Sequence, residues 1–505
     1  MATTVREILL KLSPGEIRER KKATADYYFY KGTCEDKELA KNNKELLGQN
    51  WVNNDNVDYE PTQDVRNRVK PLLRKQARWM FGKEPDVILN PINKNDKESC
   101  EDLRQFIDKL LEQQHFWKNT RKAFLMSTIK KRVLLRVAAS ENRFKIRYDD
   151  IDNFSYEEID DNLVRVRFFQ SDLNNAFVEE DSDKIYYIHI YSYTKFEDDK
   201  PLLASYTLEK YKGDDLENPI SSKTEKIGFD NNKLPVWLIK NGGELGDEFG
   251  ESDLQDLIEP QNNYNKKTSD YADALRFQMF GAESVIDGEE TTVNSLTIAP
   301  NALHAIKTRQ EALDQGKQAV LNRVEYNMGN SQAINDYLES CKEDMNFILD
   351  MPSLRELNNI PSAKAMRYLY NDLVARCEEK WNDWEPVLRD LLQYIISIAT
   401  ECKLPGFKKE WGNLQYTISF NHNYPIPSDE EEKKKLAMDE VAADVRSRKS
   451  YIKEYSKAED YEEEFEDILK EKSIIEGISL GEFSGTLADK DDIEGNKQRD
   501  DDVDE

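Results

Sequence analysis

Four histidines (His115, His189, His304, His422) and five cysteines (Cys34, Cys100, Cys341, Cys377, Cys402) are the side chains best suited to ligating a metal or supplying a nucleophile at neutral pH. Their spacing supports neither role. No CxxC pair occurs, so a structural zinc site lacks its paired ligands and the thiols read as free. The histidines fall in unrelated segments, and His189 reads as a packed or edge residue of a strand. One serine sits in a nucleophile pattern, Gly477-Ile-Ser479-Leu-Gly481. A hydrolase elbow needs a later histidine, and the last one, His422, precedes it. The acidic run from Asp489 makes no calcium loop, because Ile493 takes the fifth position and no glycine the sixth. GxxxxGK[ST], GxGxxG and HExxH do not occur, so phosphate-loop, dinucleotide and zinc-protease chemistry have no support. The expectation is no catalytic residue, no metal, no cofactor and no enzyme.

What remains is charge. Lys and Arg number 72 against 99 Asp and Glu, a formal net charge of −27 over 505 residues. That balance argues against binding free nucleic acid through a broad basic face. With 99 acids, neighbouring carboxylates such as Asp149-Asp150 and Asp160-Asp161 carry no catalytic information. Only 38% of residues are hydrophobic, but 24 Tyr, 20 Phe and 7 Trp are too many aromatics for a disordered chain. The length allows about three domains at roughly 150 residues each. No apolar run approaches the roughly 18 residues of a membrane span. The start lacks a charged-then-apolar signal, so the chain reads as cytosolic with no membrane partner.

The first 140 residues or so read as helical, with a helix ending near Gly32, a second over about Asp64–Phe81 and a third over about Glu101–Leu125. From Arg132 the period drops to two. Val133, Leu135 and Val137, then Phe144, Ile146 and Tyr148, then Val164, Val166 and Phe168, then Ile185, Tyr187, His189 and Tyr191 alternate as strands do. Ser252 offers a helix N-cap beyond the loop Gly242–Gly250, and a long helix runs to about Phe280. Strand-like pieces at about 295–307 and 320–326 precede another long helix from Ser331 that ends before Pro352. A helix from Ser362 to Cys402, carrying Pro386 inside it, a strand at Gln415–Phe420 and two charged helices over about 429–472 complete the pattern. The last stretch, Asp489 to Glu505, has nine acids, three bases and almost nothing apolar, and reads as disordered.

Several segments in this order resemble the portal proteins of tailed bacteriophages of the siphovirus type. They are Tyr27-Tyr28 with Gly32, Phe81-Gly-Lys-Glu-Pro85, Leu234-Pro-Val-Trp-Leu-Ile-Lys-Asn241, and above all Glu251-Ser-Asp-Leu-Gln-Asp-Leu-Ile-Glu-Pro-Gln-Asn-Asn-Tyr-Asn-Lys-Lys-Thr-Ser-Asp270. Ser362-Ala-Lys-Ala-Met-Arg-Tyr-Leu369 is similar to the family's wing-helix start, and Phe420-Asn-His-Asn-Tyr-Pro425 with Asp429-Glu-Glu-Glu432 to its crown entry. Ala363 stands where the family usually has glycine, and Pro361 precedes the serine. The likeness spans about residues 16–475.

The resemblance implies an α+β, mainly helical fold with wing, stem, clip and crown, assembled as a ring around a central channel. Its parts would be the wing over 1–250, stem helix 1 over 251–280, the clip over 281–330 and stem helix 2 over 331–351. A tunnel loop over 352–361, a long kinked wing helix over 362–402, a crown over 403–482 and an acidic disordered tail over 483–505 would follow. It implies a homo-oligomer, usually a dodecamer, at one capsid vertex, forming the channel for DNA packaging and ejection. Its implied partners are the terminase large subunit, head-tail connector or adaptor proteins, major capsid and scaffolding proteins, and double-stranded DNA passing through the channel. Its place would be the virion, and the host cytoplasm during assembly. Leu354, Arg355, Glu356, Leu357, Asn358 and Ile360 of the tunnel loop would face the DNA, and Lys307 and Arg309 of the clip would meet terminase or connector. The alternative is another head-completion or capsid structural protein, which would lack two stem helices flanking a strand-bearing insertion.

Overall fold

The computed structural model describes residues 4–32, 62, 64–140, 143–160, 162–195, 202–227, 232–244, 246–279, 282–293, 306–324, 331–353, 368–425, 430–455 and 461–472. The expected tunnel-loop residues 354–360, the Gly477–Gly481 pattern and the acidic tail lie outside them. The chain divides into a larger unit (Met1–Asn359 and Tyr368–Pro425) and a smaller one (Ile360–Arg367 and Ile426–Glu505).

In the larger unit, helix α1 (Val5–Leu9) opens with a capping box between Thr4 and Glu7. Helix α2 (Pro14–Lys31) opens on the Ser13 hydroxyl and ends at Gly32. The φ of 82° at Gly32 suits glycine, and its N–H reaches the Tyr28 and Phe29 carbonyls at 2.9 and 3.1 Å. Helix α3 (Val69–Phe81) leads into strand β1 (Asp86–Pro91), and helices α4 (Lys97–Gln113) and α5 (Phe116–Lys130) follow. The expectation of a wholly helical start misses β1. Val87 and Leu89 alternate inward there, but the run is only six residues long and its partner is remote.

Strand β2 (Arg132–Ser140) is the centre of a three-stranded antiparallel sheet, flanked by β3 (Arg143–Asp150) and β9 (Val236–Lys240). Between β3 and β9 in sequence comes a five-stranded antiparallel meander. It comprises β4 (Phe154–Ile159), β5 (Asn162–Ser171), β6 (Ile185–Thr194), β7 (Leu203–Lys212) and β8 (Ser221–Lys226). Leu134 and Val236 of the smaller sheet pack with Phe154, Val166, Phe168, Tyr191 and Ala204 of the larger. Tyr186, Ile188 and Tyr211 gather Leu9 of α1 in a second cluster. The expected strand around His189 is β6. Its imidazole lies 2.7 Å from the Tyr206 hydroxyl through Nδ1 and 3.0 Å from Gln170 Oε1 through Nε2. Burial, with Arg136 and Arg147 nearby, pushes it down to about 4, so it is a neutral packing group.

Helix α6 (Ile258–Met279) and helix α7 (Ser331–Ile348) pack together and bracket the hairpin β10 (Ala282–Ile286) and β11 (Val320–Val324). Helix α8 (Asn371–Ala399) runs through Pro386. Strand β12 (Tyr416–Asn421) pairs antiparallel with β1, with Asn90 and Ser419 bonded although 329 residues apart. The helical core centres on Trp384 of α8, which is 1% exposed. Its ring lies 5.4 Å from that of Phe81, 5.9 Å from Phe124 and 6.1 Å from Tyr148, so α3, α5, β3 and α8 converge there. One turn earlier, Trp381 meets Phe420 of β12 at 5.6 Å. The architecture is α+β.

The smaller unit holds α9 (Glu430–Ala442), α10 (Arg448–Tyr455) and a helical stretch over 461–472, three helical pieces where the sequence suggests two. Ala437 and Ile452 are buried, Arg446 pairs with Glu454, and Lys449 pairs with Glu462 at 2.7 Å.

Trp384→Ala is expected to cost about 3–5 kcal/mol by opening a cavity at this convergence. Leu173→Ala, at a side chain 89% exposed, should stay within about 0.5 kcal/mol. Urea unfolding followed by circular dichroism checks both, and equal losses would place the core elsewhere.

Candidate functional site

The chain enters α6 through a turn that only glycine allows. Gly250 has a φ of 77°, and a Cβ there would stand 2.9 Å from the Lys131 carbonyl oxygen and 3.2 Å from the Asn241 nitrogen. That approach seats Glu251 N–H on the Asn241 carbonyl at 2.9 Å and Asp253 N–H on the Thr128 carbonyl at 2.9 Å. The Ser252 hydroxyl donates to the Ile129 carbonyl at 2.8 Å and accepts from Leu254 N–H at 3.3 Å. The Ser252 hydroxyl expected to cap the long helix therefore closes a local turn onto Leu254 instead; a 3₁₀ turn (Gln255–Leu257) follows, and α6 begins only at Ile258.

Asp253 is the centre of this junction. Its Oδ1 accepts from Lys380 Nζ at 2.8 Å and Asn241 Nδ2 at 2.9 Å, and its Oδ2 from Gln76 Nε2 at 2.9 Å, with Arg376 Nη2 at 3.4 Å. Burial alone would raise this carboxyl, but Lys380 and Arg376 outweigh it and hold the group below the usual carboxylate range. Arg376 also donates through Nη1 to the Ile348 carbonyl and to Asp350 Oδ2, both at 3.2 Å. One carboxylate and one guanidinium thus join α3, the start of α6, the end of α7 and α8. Met351 and Pro352, where the expected tunnel loop begins, are buried beside this point.

A second polar device holds α6 in place. Gln261, Asn265, Ser269 and Asp273 recur every four residues along one face of the helix and are all buried. Opposite them the chain from Thr62 to Arg68 runs antiparallel to the helix axis. Arg68 N–H donates to Gln261 Oε1 at 2.8 Å and Arg66 N–H to Asn265 Oδ1 at 3.0 Å. Asp64 N–H donates to Ser269 Oγ at 2.9 Å and Thr62 N–H to Asp273 Oδ2 at 3.1 Å. The polar pattern in this segment is thus a backbone-binding ladder.

At the far end of α6 and α7, β10 and β11 pair in register from Ala282 opposite Val324 to Ile286 opposite Val320. The structure brings Lys307 and Arg309 together on one exposed segment. The Lys307 carbonyl accepts from Glu289 N–H and Arg309 N–H donates to the Asp287 carbonyl, both at 2.9 Å. The Arg309 side chain lies 3.9 Å from Glu311. Ile286, Leu313, Val320 and Leu321 are exposed around it. Sequence reasoning missed Asp253, Arg376, Lys380 and the ladder. The four-residue spacing of Gln261, Asn265, Ser269 and Asp273 was their one legible signal. Among the described residues no group of three or more His, Cys, Asp or Glu could hold a metal ion, and no helix is long and apolar enough to cross a membrane.

A family model described as phage portal protein, SPP1 Gp6-like, matches residues 9–476. The chain belongs to this family. As a phage portal protein it is a structural, virion-associated component, and the family is not one of enzymes. Among solved structures it is similar to a chain titled as the neck of a native GTA particle computed with C12 symmetry. The identity is 10% over 76% of this chain and 87% of that one, with a TM-score of 0.37. A second, titled as the neck of an empty GTA particle computed with C6 symmetry, is 11% identical over 78% and 94%, with a TM-score of 0.38. A comparison with curated proteins finds no match.

Asp253→Asn should lower stability at neutral pH by about 3–5 kcal/mol, because two buried cations lose their anion. A depressed carboxyl stabilises the fold fully above its unfolded value of about 3.9, and that contribution is lost as pH falls through the lower folded value. The acid limb of the wild-type stability curve should therefore be steeper than that of the variant. Urea titrations across pH measure this, and parallel limbs would contradict the assignment.

Proposed function

We propose that the chain is the portal subunit of a tailed phage, and that a ring of usually twelve copies at one capsid vertex encloses the channel for DNA packaging and ejection. The observation that carries this reading is the portal family match over residues 9–476 on a chain whose two packed long helices bracket a two-stranded hairpin. In these terms α6 and α7 are the stem, residues 281–330 the clip, residues 1–250 with 362–402 the wing, and 403–482 the crown. The clip docks the terminase large subunit during packaging and head-tail connector proteins afterwards, with Lys307 and Arg309 in the contact. Its exposed apolar residues support this, since a lone two-stranded hairpin is marginal in water and gains from a covering partner. During assembly in the host cytoplasm the ring meets major capsid and scaffolding proteins.

The acidity suits a channel, because carboxylates offer sliding phosphates no counterion-releasing contact. At the narrowest part the tunnel loop would present Leu354, Leu357 and Ile360 as an apolar collar. Arg355 is its one phosphate-seeking group, balanced by Glu356, with Asn358 beside them. Asp253 and Arg376, at the root of that loop, then couple stem and wing.

Negative-stain images of the purified chain should show hollow rings, and a population of monomers alone would sink the reading. Lys307→Glu with Arg309→Glu should leave rings intact while weakening terminase capture, and undiminished capture would remove these residues from the contact. Leu357→Asp or Arg355→Asp should leave the melting temperature nearly unaltered while lowering packaged DNA per particle. Rings that fall apart instead would mean that these side chains are core.

A further inference from the structure

Two large apolar side chains, Leu173 at 89% and Phe177 at 88% exposure, stand on one 3₁₀ turn (Leu173–Phe177) between β5 and β6. The turn is fastened to β6, so it presents them in a fixed place. Asp172 Oδ1 accepts from Asn174 N–H at 2.9 Å, and its Oδ2 accepts from the Tyr187 hydroxyl at 3.0 Å. Asn175 donates through Nδ2 to the Ile185 carbonyl at 2.6 Å and accepts through Oδ1 from Ile185 N–H at 2.8 Å. An apolar anchor held in this way loses little conformational entropy when a partner covers it. From residue 172 to 183 the chain carries five acids and no base. One of them, Glu179, is exposed and has no ion-pair partner among the described residues.

A cleft of about 440 Å³ elsewhere on the larger unit answers this knob. It lies between α4 and the turn that follows α8, with Phe106, Leu110, Leu404, Pro405 and Trp411 as its apolar wall. The Phe106 ring lies 5.5 Å from that of Phe407 and 5.6 Å from that of Trp411, so ring contacts hold the wall in shape. Asp102 is the one acid among the lining residues, and Lys408 matches it at 2.6 Å. Lys109 on the rim is left without an anion among the described residues. An acidic knob with an apolar tip therefore suits a cleft with an apolar wall and a surplus cation. The neighbouring cleft along α4 carries Glu84, Asp86, Asp108 and Glu112 against Arg104 and Lys109, and would repel it. Within one chain the knob stands exposed and the cleft open, so the two do not meet there.

We infer that the Leu173–Phe177 knob of one copy seats in the α4 cleft of a second copy of this chain. The inference rests on the reading that the chain assembles as a ring, and it names a contact that joins the copies. Leu173 and Phe177 are the anchors, losing water against Phe106, Leu110 and Trp411, while Glu179 approaches Lys109 at the edge. Two different surfaces meet, so the contact is heterologous. Each copy offers its knob to one neighbour and its cleft to the other, and such a series closes into a ring when the rotation per step divides a full turn.

The test is co-expression of two full-length variants, Ala176→Cys beside the anchors and Gln113→Cys at the cleft, followed by a short bismaleimide and a denaturing gel. A linked two-chain band should appear in the co-expressed pair, well above that of wild type or of either variant alone. Ala176→Cys linking to itself would make the contact symmetric and overturn the inference. Absence of the link would overturn it too, and hollow rings seen without the link would leave the ring reading standing. The link in chains that form only short open oligomers would support the inference while sinking the ring reading. Leu173→Asp with Phe177→Asp should keep the circular-dichroism spectrum of the chain while weakening association, measured by sedimentation velocity, on the order of a hundredfold. Glu179→Lys and Lys109→Glu should each weaken it about tenfold, and the two together should recover most of that loss. An aspartate variant that assembles like wild type, or a double reversal no better than the single ones, would overturn the inference.

Discussion

A carboxylate cannot be left alone in the interior, and the larger unit is organised around one that is not. Removing Asp253 from water costs several kcal/mol, which is recovered only if its partners converge with good geometry. Those partners come from Gln76 on α3, Asn241 after β9, and Arg376 and Lys380 one turn apart on α8. Its backbone N–H is claimed by Thr128 at the end of α5. Any arrangement that displaces one of these elements strands a buried charge. The same guanidinium that faces Asp253 holds the Ile348 carbonyl at the end of α7 and the Asp350 carboxylate just beyond it, so both long helices are anchored at one polar point against α8.

The ladder along α6 extends that order outward. Four residues of helix advance about 6.0 Å and two residues of extended chain about 6.6 Å, so the two periods stay nearly in step over a few rungs. Gln261, Asn265, Ser269 and Asp273 can therefore each meet an alternate N–H of Arg68, Arg66, Asp64 and Thr62. The helix acts as a sheet edge toward the extended chain. Its buried face is polar because it must satisfy a backbone, where an apolar stripe would leave four donors orphaned.

Charge is distributed less simply than its sum suggests. Several of the most buried charged groups are cations held by carbonyls, carboxylates and rings. Arg20 donates to the Ile151 and Phe154 carbonyls, and Arg132, fully buried, pairs with Glu16 at 2.6 Å and lies 4.8 Å from the Phe249 ring. The charged run of α2 is thus partly turned inward and clamps that helix to the sheet. A net charge governs behaviour at a distance, and these local arrangements govern contact.

Local periodicity and composition were legible without coordinates. The alternation of Val133, Leu135 and Val137 announces β2, Gly32 ends α2 where a left-handed residue is needed, and the order of segments points to the portal family that matches residues 9–476. These are properties of neighbours in sequence, set by steric preference and hydrophobic period. What no local window holds is pairing. Strand β1 exists because β12 lies beside it from more than three hundred residues away, and Ser252 spends its hydroxyl on Ile129 because Gly250 lets the two backbones touch. Which acids are buried, and which cations face them, follows from where remote elements come to rest, because desolvation and Coulomb energies depend on distance in space.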